Sequence, residues 1–161
     1  MVSTPSFFFK LNTDVAFMER SHSGGWGAIA RDQRGEIIFA ADGYAHHLSG
    51  ALHAETMAVQ IGLCIADQMG TGRMIISTDS QVLKNAIETP SLDHARLGQL
   101  SLDIKFQLAM EFIDYTVEYC PRECNKPAHV LAAMGMGMDQ NNQSMWLSGF
   151  QMMYLVLWPA I

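Results

Sequence analysis

The sequence has few charged residues, and fewer basic than acidic ones. Charged residues make up 16% of the 161 positions and apolar residues 49%, which excludes an intrinsically disordered chain. The length suits one domain with a sizeable core. Ten Lys and Arg face 16 Asp and Glu, for a net charge of −6. This balance argues against tight non-specific binding of long nucleic acid, although a local basic patch is compatible with it.

Three other absences bear on location. No apolar run reaches the about 20 residues that span a bilayer, so no membrane span is expected. No basic residue precedes Lys10, so we expect no secretory or organellar presequence. Cysteine occurs at only 3 positions, and an odd number favours a reducing compartment. We therefore expect an intracellular protein of the nucleus or cytoplasm.

The hydrophobic pattern predicts strands first and alternating elements afterwards. Residues 7–16, the run through GGWGAIARD and the run EIIFAADGY are predicted to form an antiparallel meander. The pattern next predicts a helix at about 51–69, the buried strand RMIIST and a helix from Ser77–Ser80 to Ile87. An amphipathic helix marked by Leu97, Leu100, Ile104 and Leu108 follows, then the strand FIDYTVEY and a helix that Asn125 can cap. This order predicts an α/β fold in which helices pack on a mixed sheet.

Three carboxylates stand alone inside apolar segments. Asp14 lies in FFFKLNTDVAF, Glu55 in ALHAETMAVQIGL, and Asp79 directly after RMIIST. Charged side chains are rarely fully buried, and an unpaired buried carboxylate costs several kcal/mol or changes its pKa. A hard divalent cation would compensate all three at once. The alternative is that each carboxylate faces solvent or caps a helix.

Four motifs follow one another in an informative order. They are KLNTDVAF with GGWGAIARDQRGEIIFAADG, HAETMAVQIGL, IISTDSQVLKNAI and PRECNKPAHVLAAMG. Together they resemble the type 1 ribonuclease H-like domain of the plant, reverse-transcriptase-associated branch, over residues 7–137. The resemblance implies a retroelement-related fold: a five-stranded mixed sheet, with three antiparallel strands first, flanked by helices.

The resemblance also implies a catalytic site. Asp14, Glu55 and Asp79 match the family's catalytic carboxylates, which hold Mg²⁺ or Mn²⁺, as two ions about 4 Å apart. The implied activity is endonucleolytic hydrolysis of the RNA strand of an RNA–DNA hybrid, leaving a 5′-phosphate and a 3′-hydroxyl. His129 occupies the fourth, catalytic position, which is aspartate in many relatives. A neutral imidazole there can bind a metal or pass a proton, or it can simply cap a helix or satisfy the core.

Four more residues match positions near the substrate. Val15 and Ala16 follow the first aspartate, where the family usually has glycine because backbone approaches the RNA strand. Valine is bulky and stiff for such a position. Arg122 and Asn125 match the flanking loop and the helix start, where phosphate contact and helix capping are the implied roles.

The apolar segment 138–161 leaves the function open. Trp146, Phe150, Tyr154 and Leu157 recur at helical spacing, which predicts a helix docked on the domain or a tail for a protein partner or self-association. One hypothesis is therefore a ribonuclease, favoured by the three carboxylates. The other is a ribonuclease H-fold module with weak or lost activity that acts through protein contacts, favoured by Val15, His129 and the acidic charge. A nucleotide-binding protein lacks support because no glycine-rich phosphate loop occurs.

Overall fold

The computed structural model describes residues 7–90, 98–138, 142–147 and 152–153. In chain order the elements are β1 (Phe9–Met18), β2 (Ser23–Arg31), β3 (Ile37–Ala45), α1 (Ala51–Gln68), β4 (Arg73–Thr78), α2 (Gln81–Glu88), α3 (Gly98–Glu111), β5 (Asp114–Tyr119), a 3₁₀ turn (Arg122–Cys124), α4 (Lys126–Met136), β6 (Gln143–Leu147) and β7 (Met152–Met153). The predicted order is confirmed as far as α4.

One mixed sheet organises these elements. Its strand order is β5-β4-β1-β2-β3-β6-β7, with β4 parallel to both β1 and β5 and the other pairs antiparallel. The five predicted strands are present, with β1–β3 as the antiparallel part. The predicted count of five is exceeded, because β6 and β7 extend the sheet to seven strands beyond β3.

The expected helix through Trp146 is wrong where the chain is described. Gln143–Leu147 is a strand that pairs antiparallel with β3. Met145 is buried in the main core, whereas Trp146 packs with a small cluster that contains Ile29 and Leu131. Such alternation is the pattern of a strand, and the free edge of β3 supplies the hydrogen-bonding partners. The other residues of the expected helical face, Phe150, Tyr154 and Leu157, lie outside the described part of the chain.

Helices α1 and α4 cover opposite faces of the sheet. A Cβ on Gly62 of α1 would lie 3.0 Å from the Leu11 side chain, so α1 packs on the face of Leu11. A Cβ on Gly25 of β2 would lie 2.0 Å from the carbonyl oxygen of Ala132, so α4 packs on the other face. Only glycine lets the α4 backbone approach this closely. The main core therefore lies between the sheet and α1, and a smaller cluster lies under α4.

Two helix starts differ from each other in how they are held. The Ser80 hydroxyl accepts a hydrogen bond from the Leu83 N–H at 3.1 Å, which confirms the predicted cap of α2. Asn125 occupies the N-cap position of α4, but its side chain makes no capping bond. Its amide instead donates to the Thr13 carbonyl at 2.9 Å and accepts from Asn12 at 3.1 Å. The buried Asn125 side chain thus ties α4 to β1, which corrects the predicted capping role.

A membrane-crossing helix, which must be both long and apolar, does not occur in the part of the chain that the structure describes.

Candidate metal centre

The fold brings the three carboxylates together from three elements. Asp14 lies in the interior strand β1, Glu55 in the second turn of α1, and Asp79 directly after β4. Because β1 and β4 are parallel neighbours and Asn12 pairs with Ser77, the end of β4 lies beside Asp14. One oxygen from each carboxylate lies within 4.8 Å of the others. The predicted cluster is therefore present as a geometric group, which we call the carboxylate cluster.

The carboxylate cluster lacks enough positive charge to balance it. Asp14 is buried, and Glu55 and Asp79 are partly buried. Burial raises the pKa of Glu55 to about 8, with further contributions from repulsion by Asp79 and Asp14, opposed by Arg122. The pKa of Asp79 is also raised, first by burial and then by repulsion from Asp14. Bringing these groups together therefore costs free energy when all three are ionised.

These residues fit a hard divalent cation. Oε2 of Glu55 is buried and has no hydrogen-bond partner, so one carboxylate oxygen is left for another ligand. Mg²⁺ and Mn²⁺ prefer oxygen ligands, and a cation would remove the repulsion that raises the two pKa values. No other group of three or more His, Cys, Asp or Glu side chains with metal-binding geometry occurs among the described residues.

His129 lies next to the carboxylate cluster and contacts one member of it. Its Nδ1 is 2.9 Å from Oδ2 of Asp14, and about half of its side chain is exposed. Oδ1 of Asp14 accepts a hydrogen bond from the Val15 N–H at 2.9 Å. Both oxygens of Asp14 are thus oriented by neighbours. His129 acts here on Asp14, and metal binding by its ring stays a prediction.

The two residues after Asp14 lie in regular β-structure. Val15 pairs with Trp26, and its partly buried side chain packs against the main core. Ala16 pairs with Gly25 and is also partly buried. Val15 is not among the described residues with positive φ, so the backbone itself does not require glycine there. A substrate-binding role for either residue stays a prediction.

Arg122 borders the carboxylate cluster from the 3₁₀ turn. Its Nε lies 3.8 Å from Oδ2 of Asp79, and its side chain is 77% exposed. An open cavity of about 400 Å³ adjoins this pair, and its lining consists of Ala51, Leu52, Glu55, Asp79, Ser80, Val82 and Arg122. The carboxylates of Glu55 and Asp79 and the long, exposed side chain of Arg122 therefore line one solvent-accessible cavity. An anionic group held by cations on the carboxylates could contact Arg122 at the same time.

Sequence reasoning missed one residue of this region, Asn12. Its side chain is buried and donates a hydrogen bond to Oδ1 of Asn125, which in turn holds the Thr13 carbonyl. This network fixes the start of α4, and with it His129, against β1. The available signal was a polar side chain two positions before Asp14, on the same face of a strand.

Comparison with known proteins agrees with this fold. A profile of the reverse transcriptase-like family matches residues 12–135. The N-terminal RNase H domain of Rv2228c from Mycobacterium tuberculosis superposes with a TM-score of 0.70 at 20% identity, covering 80% of this chain and 93% of that one. RNase H1 from Halobacterium salinarum NRC-1 gives a TM-score of 0.64 at 18% identity, covering 80% and 96%.

A third structure adds a bound nucleic acid. LC11-RNase H1, isolated from compost by a metagenomic approach and solved in complex with an RNA/DNA hybrid, gives a TM-score of 0.67 at 14% identity, covering 81% of this chain and 96% of that one. The search of curated proteins found no match. The chain belongs to the reverse transcriptase-like family and has the ribonuclease H-like fold.

Proposed function

We propose that the protein is a divalent-metal-dependent endoribonuclease that hydrolyses the RNA strand of RNA–DNA hybrids. The observation that carries the proposal is the convergence of Asp14, Glu55 and Asp79 within 4.8 Å beside an open cavity. Within its family we assign it to the type 1, plant, retroelement-related branch, on the four sequence motifs. The nucleus or cytoplasm is the proposed location, where a reducing environment suits the free thiols of Cys64, Cys120 and Cys124.

The three carboxylates would hold Mg²⁺ or Mn²⁺, as two ions in this proposal. Bound there, the metal would activate the attacking water and stabilise charge on the departing 3′ oxygen. Asp14 is oriented for this task by the Val15 N–H and by His129. The high pKa of Glu55 means that metal binding must displace a proton near neutral pH, so metal affinity would rise with pH.

Two other residues would act on the substrate. Arg122, long and exposed at the rim of the cavity, is placed to pair with a phosphate of the scissile strand. His129 bonds Asp14 through Nδ1, which leaves Nε2 as the ring atom that can take up or release a proton. Arg122 would act from the cavity that it lines with Glu55 and Asp79, and His129 would act from the side of Asp14.

The hybrid substrate is supported by two structural neighbours. LC11-RNase H1 was solved with an RNA/DNA hybrid, as was the foamy viral protease-reverse transcriptase. The latter matches with a TM-score of 0.63 at 17% identity, over 82% of this chain and 20% of the viral one. A ribonuclease H-like domain can distinguish the strands by 2′-hydroxyl contacts and duplex shape.

A cleavage assay on an end-labelled RNA–DNA hybrid tests the proposal. We expect cleavage with Mg²⁺ or Mn²⁺, none with a chelator, and products that carry 5′-phosphate and 3′-hydroxyl ends. Asp79→Asn should abolish cleavage, whereas Asp67→Asn, a change at an exposed position at the end of α1, should retain it. No cleavage by the wild-type protein with either metal would overturn the proposal.

A second candidate is a module with weak or lost activity that works through a protein partner or self-association of residues 138–161. The observation that favours it is the contact of His129 with Asp14, because an imidazole adds no negative charge where many relatives have a fourth carboxylate. The same assay separates the two: hybrid binding without metal-dependent cleavage, together with a complex lost on removing the C-terminal segment, would support this candidate.

A further inference from the structure

A second buried carboxylate lies away from the carboxylate cluster. Asp42 in the middle of β3 is fully buried, between Gly27 of β2 and Ser144 of β6. Neither carboxylate oxygen of Asp42 has a partner at hydrogen-bond geometry, and the Ser144 hydroxyl has none either. A buried carboxylate without a partner is costly when ionised. This free-energy cost arises where β6 pairs with β3, because Asp42 lies opposite Ser144.

The surroundings of Asp42 offer little to balance a negative charge. A Cβ on Gly27, the cross-strand neighbour, would meet Ala128 and Leu131, so Asp42 lies on the face that α4 covers. Strand β6 has no titratable side chain. The titratable groups of the elements packed around this face are Lys10 and Asp14 on β1, Arg31 at the end of β2, Tyr44 on β3, and Lys126 and His129 on α4.

Most of these groups have other partners. Lys10 forms an ion pair with Glu118, Tyr44 donates its hydroxyl hydrogen to Ser23, and His129 contacts Asp14. Burial raises the pKa of Asp42 to about 6, and the nearby polar groups of Ser144, which pairs with Asp42 in the sheet, oppose this rise in part without closing a hydrogen bond to the carboxylate. No cationic side chain contributes to the shift. The charge of ionised Asp42 is therefore not balanced by a cationic side chain in contact with it.

We propose that the pairing of β6 with β3 is pH-sensitive: β6 stays paired when Asp42 is protonated and separates more readily when Asp42 is ionised. Separation of β6 would hydrate the carboxylate and leave β1, β2 and β3 paired, because β6 has five residues and, in the part of the chain that the structure describes, only the two residues of β7 lie beyond it in the sheet. The alternative way to expose Asp42 is to separate β3 from β2. That would disrupt the central part of the sheet, where β2 contacts β1, β3 and α4.

The direction of the effect follows from the two protonation states. The folded pKa of about 6 lies above the ordinary value of 3.8, so the paired state binds the proton more tightly. The stabilising contribution is fully present below pH about 4, is lost as the pH rises toward about 6, and stays lost above it. Between pH 5 and 7.5 this predicts an increase of about tenfold in the opening constant of β6.

Amide hydrogen exchange of the full chain tests the proposal. Exchange of the peptide that contains Gln143–Leu147 is measured from pH 5 to 7.5 and corrected for the intrinsic pH dependence of exchange. We expect its protection factor to fall about tenfold over this range, while β1 and β2 remain more strongly protected than β6 at every pH, as expected for a local opening of β6. In Asp42→Asn the same peptide should show no pH dependence, because the titrating group is gone.

A second variant keeps the test decisive if Asp42→Asn does not fold. Ser144→Ala removes the polar side chain that lies opposite Asp42 in the strand register, so the surroundings of the carboxylate become more apolar and the midpoint of the change should move to higher pH. Protection of β6 that is constant with pH in the wild-type chain would overturn the proposal. So would a pH dependence that survives in folded Asp42→Asn, or a midpoint that does not move in Ser144→Ala.

Discussion

Nδ1 of His129 lies 2.9 Å from Oδ2 of Asp14, so a side chain of α4 contacts the carboxylate that stands on the interior strand β1. Because of this contact, the orientation of the Asp14 carboxylate depends on the position of α4 relative to β1. It also places a group that can be neutral or cationic where a fourth carboxylate would add negative charge. The carboxylate cluster with His129 beside it therefore carries less negative charge than a site with four carboxylates.

Replacing His129 by aspartate tests this relationship. His129→Asp should lower the stability of the metal-free protein, because it adds repulsion next to Asp14, and should increase the rise in melting temperature caused by Mg²⁺. His129→Ala is the matched control, which removes the contact without adding charge. Thermal melts with and without millimolar Mg²⁺ measure both effects. A metal response no larger in His129→Asp than in His129→Ala would contradict this account.

Metal binding should stabilise the wild-type fold by mass action. Cations that bind the folded carboxylate cluster raise the melting temperature, by several degrees when the metal exceeds its dissociation constant about 100-fold. Asp14→Asn and Asp79→Asn should weaken this shift, and Asp67→Asn should leave it unchanged. A melting temperature that stays constant over millimolar Mg²⁺ and Mn²⁺ would count against a working metal site.

Glu55 should make the metal-free protein less stable as the pH rises. Its folded pKa of about 8 exceeds the ordinary value of 4.5, so its contribution to stability is present below pH about 4.5 and lost as the pH approaches about 8. Glu55→Gln should therefore stabilise the metal-free protein at pH 7, by about 1–3 kcal/mol, and reduce its metal response. Urea unfolding at pH 5 and pH 7.5 in a chelator measures the effect. Equal stability changes at the two pH values would be inconsistent with a titrating Glu55.

Val15 should have two separable effects. If its side chain obstructs the RNA strand, Val15→Gly should increase hybrid cleavage or affinity. The variant should also be less stable by about 1–3 kcal/mol, because Val15 packs on the main core and glycine is unfavourable in a strand. Cleavage rate, hybrid affinity and urea unfolding are compared with those of Val15→Ala. A decrease in both cleavage and affinity with the fold intact would show that valine is not the limiting feature.

Truncation after Gln143 should destabilise the domain. It removes most of β6, including buried Met145 and the backbone bonds to β3, and burial of one such side chain contributes about 1.5–3 kcal/mol. It also removes Trp146 from its cluster with Ile29. The metal response should persist, because no residue of the carboxylate cluster is lost. Unchanged stability would mean that the C-terminal strand contributes little to the sheet, and unchanged self-association would argue against a partner-binding tail.

Local patterns in the sequence were enough to predict much of the fold and the cluster. Apolar periodicity and turn residues predict the element order through α4, because each depends on neighbours a few positions away. Asp14, Glu55 and Asp79 were predicted together because an isolated charge inside an apolar segment needs a compensating partner. The helix start at Ser80 was predicted for the same local reason, since a cap bonds an N–H three residues ahead.

The tertiary structure decided which hydrogen-bonding and packing partner a side chain has where the local sequence allows more than one. Trp146 suits a helical face as well as a strand, and the open edge of β3 selects the strand. Asn125 could cap its own helix, but the nearby Thr13 carbonyl and Asn12 amide bind it instead. The solvent-free position of Asp42 opposite Ser144 depends on a pairing between residues distant in the chain. Periodicity and spacing report which face a residue occupies, whereas hydrogen bonds and burial depend on what the completed fold places beside it.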